Sequence, residues 1–142
     1  MRIYLDTCII IDYLALREPF FDDAEKIFQL IANNKIFAYV SASSVTDIHY
    51  IIKKYMHDEK SARNKMIALL SLVDIIDTLA YNVKTTFDSP INDFEDALIE
   101  ELSYQTKLQY IITRNAKDFK NSRIEVVTPK KFLTICRNQF HM

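Results

Sequence analysis

At 142 residues, with 49% hydrophobic and 26% charged residues, the chain has the size and balance of one folded domain rather than of a disordered or membrane-embedded protein. A net charge of −1 gives no global attraction for nucleic acid, so any such attraction has to be local. Two cysteines, Cys8 and Cys136, and three histidines are too few for a disulfide framework or a closed zinc site. No apolar run approaches the ~20 residues of a membrane span, and Asp6 interrupts the N-terminus where a signal peptide would be purely apolar. The expectation is a single cytoplasmic domain over residues 1–142 with both cysteines reduced.

In chain order, Ile3 to Leu5 reads as a short strand and Cys8 to Leu14 as the helix after it. Phe21 to Asn33 is helical, with Ala24, Ile27, Phe28 and Ile31 at helical spacing. A β-rich run, Ile36 to Val40, precedes helices at Ser44 to Tyr55 and Ser61 to Leu72. Val73 to Ile76 is a strand and Leu79 to Phe87 a helix. Asp93 to Thr106 is a strong helix whose Phe94, Ala97, Leu98 and Leu102 form one apolar stripe. Tyr110 to Thr113 and Ile124 to Val127 are strands, and Pro129 opens a last helix. Strands alternating with helices predict a parallel sheet in a three-layer α/β/α sandwich.

The chain contains no glycine, which excludes the P-loop and the dinucleotide-binding fingerprint, since both need close backbone approach to phosphate. Turns fall instead to Asn33-Asn34, Ser89-Pro90 and Thr128-Pro129. Two basic groups stand out: Lys53, Lys54, His57, Lys60, Arg63 and Lys65, and then Arg114, Lys117, Lys120 and Arg123. Either suits a nucleic-acid patch or an ordinary solvated helix face.

In a parallel sheet, ligands bind beyond the carboxyl ends of the strands, which makes the acids informative. Asp6 ends the first strand, Asp47 and Asp96 lie in first helical turns, and Asp118 follows the strand at Tyr110. Four carboxylates converging on one rim cannot all stay ionised without a cation, and an all-oxygen acidic cluster suits Mg2+ or Mn2+. Asp47 and Asp96 also have structural explanations, as a loose capping box from Ser44 and as macrodipole partners, and Asp118 could simply start a turn. Asp6 is different, because a carboxylate inside an apolar segment is costly to bury unpaired.

The order and spacing of these segments resemble PIN domains, in particular the short prokaryotic ones that include VapC-like toxins. Leu5-Asp6-Thr7-Cys8-Ile9-Ile10-Ile11-Asp12 is similar to the family's opening strand and helix, and Ser43-Ser44-Val45-Thr46-Asp47-Ile48 to its second motif, where glutamate is usual. Asp93-Phe94-Glu95-Asp96-Ala97-Leu98-Ile99 resembles the third motif and Ile111-Ile112-Thr113-Arg114-Asn115-Ala116-Lys117-Asp118-Phe119 the fourth. The resemblance implies a Rossmann-like sheet of about five strands and a Mg2+- or Mn2+-dependent ribonuclease. Asp6, Asp47 and Asp96 would hold the ion or its waters, and Asp118 would act as an outer or second-site residue. Thr7, Ser44 and Thr113 would orient a carboxylate or water. Asn115 stands where aspartate is frequent, which favours one firmly held ion. Asp12 is an outside candidate, and Asp93 reads as a helix cap.

The resemblance further implies an RNA substrate and an antitoxin partner whose amphipathic helix fills a groove. Residues between Tyr50 and Tyr55, with Leu69 to Leu72, would supply that groove, a homodimer face, or simply core. A housekeeping RNA-processing nuclease and a non-catalytic RNA- or protein-binding module remain alternatives. A haloacid dehalogenase-like reading fails because Cys8 stands where a second aspartate is required, and no receiver-domain acid set accompanies Asp74 and Asp77.

Overall fold

The computed structural model describes all residues, 1–142. Its elements are β1 (Arg2–Leu5), α1 (Thr7–Leu14), α2 (Phe21–Ala32), β2 (Phe37–Ser41), α3 (Ala42–Met56) and α4 (Glu59–Leu70). They continue with β3 (Asp74–Ile76), α5 (Ala80–Thr86), α6 (Phe94–Gln105), β4 (Tyr110–Ile112), β5 (Glu125–Val127) and α7 (Pro129–Phe140). A 3-10 turn, Ala116–Phe119, follows β4 and was not anticipated from the sequence.

All five strands are parallel in the order β3-β2-β1-β4-β5. The chain builds outward from β1 through β2 to β3, then returns to pair β4 with the other side of β1. The two connections leave β1 and β4 in opposite directions, so a crevice opens between their carboxyl ends, the usual ligand position in such sheets.

Strand alternation divides the core. Ile3, Leu5, Ala38, Val40, Ile112 and Val127 face a large cluster completed by α1, α2, α3, α4 and α7. Tyr4 and Ile111 face a smaller one with Ile99 of α6, Leu108, Phe119 and Ile124. The expected α/β/α sandwich is therefore present, with α5 packed on α6 outside the smaller layer. On α6, Ala97, Leu98 and Leu102 are buried as the spacing predicted, but Phe94 is turned outward against Phe87.

Helix starts depart most from expectation. α3 begins at Ala42, capped by the Ser41 hydroxyl accepting from the Ser44 amide at 3.1 Å, rather than at Ser44. Asp47 consequently lies in the second turn, not the first. α4 begins at Glu59 because Asp58 caps it. Without glycine, left-handed positions fall to Leu16, Asn34, His57, Lys107, Asn121 and His141, two of which, His57 and His141, end helices.

Candidate metal and nucleic-acid site

Asp6 follows β1 directly, and its amide continues the ladder by donating to the Ile112 carbonyl at 3.0 Å. Its carboxylate is held from two sides. The Thr7 amide donates to Oδ1 at 2.8 Å, so Asp6 caps α1, while the Thr113 hydroxyl, just past β4, donates to Oδ2 at 2.7 Å. The Thr113 hydroxyl in turn accepts from the Asn115 amide at 3.1 Å. Thr113 is fully buried, so this orientation is fixed by the sheet itself. The Cys8 thiol lies 3.8 Å from Oδ2, and burial followed by the charge of Asp6 pushes it up, which leaves it a thiol rather than a nucleophile.

A second wall comes from α6. The Asp93 side chain caps this helix by accepting from the Asp96 amide at 2.9 Å, as the sequence suggested. Asp96 stands in the first turn, where partial burial and then the charges of Asp93, Asp6, Asp118 and Glu95 push its carboxyl up to about 7. Glu95 is raised too, first by desolvation and then by Asp47, Asp93 and Asp6. Glu95 is not among the site residues expected from the sequence, where the helix macrodipole accounts for first-turn acids. Asp47 is exposed on α3 and meets the other acids across Glu95.

Asp118, exposed on the 3-10 turn, shares a cavity of about 540 Å3 with Asn92, Asp93, Asp96, Lys117 and Lys120. No hydrophobic side chain lines it. The structure thus brings Asp6 and Asp118 each into electrostatic range of Asp96 and links Asp47 through Glu95.

Of the supporting candidates, Thr113 orients a carboxylate, and Asn115 contributes its backbone amide. The Ser44 hydroxyl does not contact an acid: it packs in a buried network with Tyr4 and Ser41 at 3.2 and 2.7 Å, which fixes the start of α3 instead. The Thr7 hydroxyl is buried without a hydrogen-bond partner. Asp12 is not part of the rim. Its buried carboxylate accepts from Arg17 at 2.8 Å and Arg114 at 2.8 Å, and Arg114 also covers the Phe20 ring. This pairing ties the loop after β4 to α1.

About half of the two basic groups seen in the sequence is engaged within the fold. Glu59 pairs with His49, Lys53 and Arg63, and the Lys65 ammonium donates to the Leu14 carbonyl. Arg123 pairs with buried Glu100 and Glu101 of α6, two acids whose role was not foreseen because their partner lies 23 and 22 residues away. Lys117 and Lys120 remain facing the acidic cavity.

The donors fit a hard divalent ion: they are carboxylate oxygens, among which Asp96 and Glu95 are raised by burial and then by their acidic neighbours, with an orphaned hydroxyl, Thr7 Oγ1, beside Asp6. No three of them close into a ready cage. The arrangement therefore fits an ion held by one or two carboxylates and water, the habit of Mg2+, better than an all-protein enclosure.

Comparison with solved structures gives several matches over most of the chain. VapBC2 from Rickettsia felis, bound to a promoter DNA fragment, is 19% identical with a TM-score of 0.65, covering 90% of this chain and 98% of that one. A toxin-antitoxin complex from Klebsiella pneumoniae is 26% identical with a TM-score of 0.65, covering 89% and 96%. VapC20 of Mycobacterium tuberculosis, a sarcin-ricin loop cleaving toxin, is 15% identical with a TM-score of 0.60, covering 77% and 86%. No curated protein sequence matches. The family model for the PIN domain matches residues 2–117, which carry β1 through β4 and all of Asp6, Asp47 and Asp96, and the chain belongs to the PIN-domain family.

Proposed function

We propose that the protein is a single-domain, Mg2+- or Mn2+-dependent endoribonuclease, the toxin of a toxin-antitoxin pair acting in the cytoplasm. The observation that carries this reading is the crowding of Asp6, Glu95, Asp96 and Asp118 at the β1/β4 crevice, with Asp96 pushed up to about 7. Membership of the PIN-domain family and the toxin structures among the neighbours support it.

Asp6 and Asp96 would hold the divalent ion, with Asp47 and Asp118 reaching it through water. When bound, such an ion makes water a nucleophile at neutral pH and offsets charge on the phosphate. The chain's own residues do the rest. Thr113 and the Thr7 amide keep Asp6 in one orientation, so little reorganisation is needed when substrate arrives. Lys117 and Lys120, lining the same cavity, attract a phosphodiester toward carboxylates that would otherwise repel it. Cys8, held as a thiol, takes no nucleophilic part.

An antitoxin helix would lie in the cavity of about 430 Å3 between α3 and α4, lined by Val45, Met66, Ile67 and Leu70. Ile67 is 69% exposed there, an apolar surface suited to a partner helix. Of the groove residues expected from the sequence, Ile52 and Leu69 are core, while Tyr50 and Tyr55 are exposed on α3.

The test is incubation of purified protein with a mixed RNA pool in Mg2+, in Mn2+ and in EDTA, with the new ends mapped by sequencing. Internal cleavage that needs the metal is expected. Undamaged RNA in every condition would defeat the proposal.

A further inference from the structure

We propose that the groove between α2 and α7 carries the phosphate backbone of single-stranded RNA away from the acidic rim, making it a second binding surface for the substrate. The proposal rests on the ribonuclease reading above and extends it to a part of the molecule that touches no candidate catalytic carboxylate.

The groove consists of two joined cavities. One, of about 310 Å3, opens at Arg114 and Asn115 and is bordered by Phe20, Pro129 and Lys130. The other, of about 540 Å3, lies between α2 and α7 and is lined by Lys26, Gln29, Asn33, Lys130 and Arg137 among others. Asp23 and Lys130 line both, so the two cavities adjoin.

Its upper end meets the site. The Asn115 amide donates to the Thr113 hydroxyl, and that hydroxyl donates to Asp6, so the mouth of the groove is two hydrogen bonds from the first carboxylate. Both helices start at this end of the sheet: Thr128, the cap of α7, directly follows β5, and Phe20, just before α2, lies under Arg114 past β4. Each helix has 12 residues. At the standard rise the groove therefore leads about 18 Å away from the rim.

Charge identifies the occupant. Lys26, Lys130 and Arg137 are exposed, and none takes part in an ion pair. Asp23 is the one acidic side chain in the lining, against Lys26, Lys130 and Arg137, in a chain whose net charge is −1. By contrast, Arg17 and Arg114 are committed to Asp12, Lys53 and Arg63 to Glu59, and Arg123 to Glu100 and Glu101. A phosphate can replace water at Lys26, Lys130 and Arg137 without breaking an ion pair, although Arg137 already donates to the Thr134 hydroxyl at 3.1 Å. The amides of Gln29 and Asn33 add polar partners, and the apolar share, Leu30, Leu133 and Met142, is too narrow for the stripe of an amphipathic helix.

The experiment measures equilibrium binding of fluorescein-labelled single-stranded RNA in EDTA, where no cleavage complicates it. The wild type is compared with the combined Lys26→Ala, Lys130→Ala and Arg137→Ala variant, using one oligonucleotide that spans only the rim and one long enough to follow the groove. In the variant, the advantage of the long RNA should collapse, and the slope of log affinity against log salt should fall by about 2, as expected for three lost contacts to a single strand. All three side chains are exposed, so an unchanged melting temperature certifies the fold. An unchanged slope, an equal loss on both RNAs, or binding of a glutamate-rich peptide in preference to RNA would overturn the proposal. Because binding is read without metal, failure to cleave RNA would defeat the ribonuclease reading while leaving the groove decided by its own result.

Discussion

The two walls of the acidic rim are built on opposite principles. At the strand ends, Asp6 is held by the Thr7 amide and the Thr113 hydroxyl, and its position is determined before any ligand arrives. Across the crevice, Asp96 and Glu95 sit in the first turn of α6, where helix geometry alone places them, and burial followed by the charge of their neighbours raises both. One wall orients a donor, and the other accumulates repulsion that a cation relieves. Rigid placement is what a metal-assisted reaction needs from its first ligand, and unmet negative charge is what draws the ion in.

The largest effect should come from Asp6→Asn. Cleavage should fall to background in a metal-supplemented RNA assay, while the melting temperature stays close to wild type. Substantial residual activity would mean that the strand-end wall is not the anchor.

Thr113→Ala removes the group that orients Asp6 but leaves the carboxylate in place. A loss of about 10–100-fold in kcat/KM is expected, the usual cost of losing a ligand's supporting hydrogen bond. Thr113→Ser should restore most of it, a rescue that a general packing defect would not show.

Asp47 sharpens the contrast, because it is exposed on α3 and reaches the other acids only through Glu95. Asp47→Asn should cost about tenfold, at the low end for a group acting through water. Asp47→Glu, one methylene longer, should be at least as active as wild type in the same assay. A loss equal to that of Asp6→Asn would make Asp47 a direct ligand.

The smallest effect is on stability. Asp96 has a folded pKa of about 7, above the ordinary carboxylate value, so the folded protein binds a proton that the unfolded chain has already released. Its contribution is fully present below about pH 4 and is lost as pH rises toward 7. In metal-free buffer the melting temperature should therefore decline over that window, and Asp96→Asn should flatten the decline. Added Mn2+ should raise the wild type most above pH 7. A melting temperature that climbs with pH across the window would contradict the repulsion argument.

Local signals carried much of this in the sequence. Runs such as Ile3 to Leu5 and Tyr110 to Thr113 are short, apolar and bounded by polar residues, so the parallel sheet and the placement of Asp6 at a strand end were readable. The Asp93 cap was readable for the same reason, since its partner is three residues away. Pairings across the chain were not. Ser41 caps α3 while also bonding Tyr4, a contact 37 residues distant, and the helix starts two residues earlier than expected, which puts Asp47 in its second turn. The basic groups at Lys53 to Lys65 and Arg114 to Arg123 looked like surface patches, yet Glu59, Asp12, Glu100 and Glu101 neutralise much of them. The α2–α7 groove was invisible for the converse reason: Lys26 and Arg137 come from nearly opposite ends of the chain and meet only because α2 and α7 pack together.

Mn2+ binding by isothermal calorimetry to the wild type and to Asp6→Asn, both first stripped of metal, tests the central claim most directly. The account predicts one ion bound by the wild type and none measurable in the variant, with the two proteins equally folded by circular dichroism. Equal binding by both would contradict an ion anchored at the end of β1.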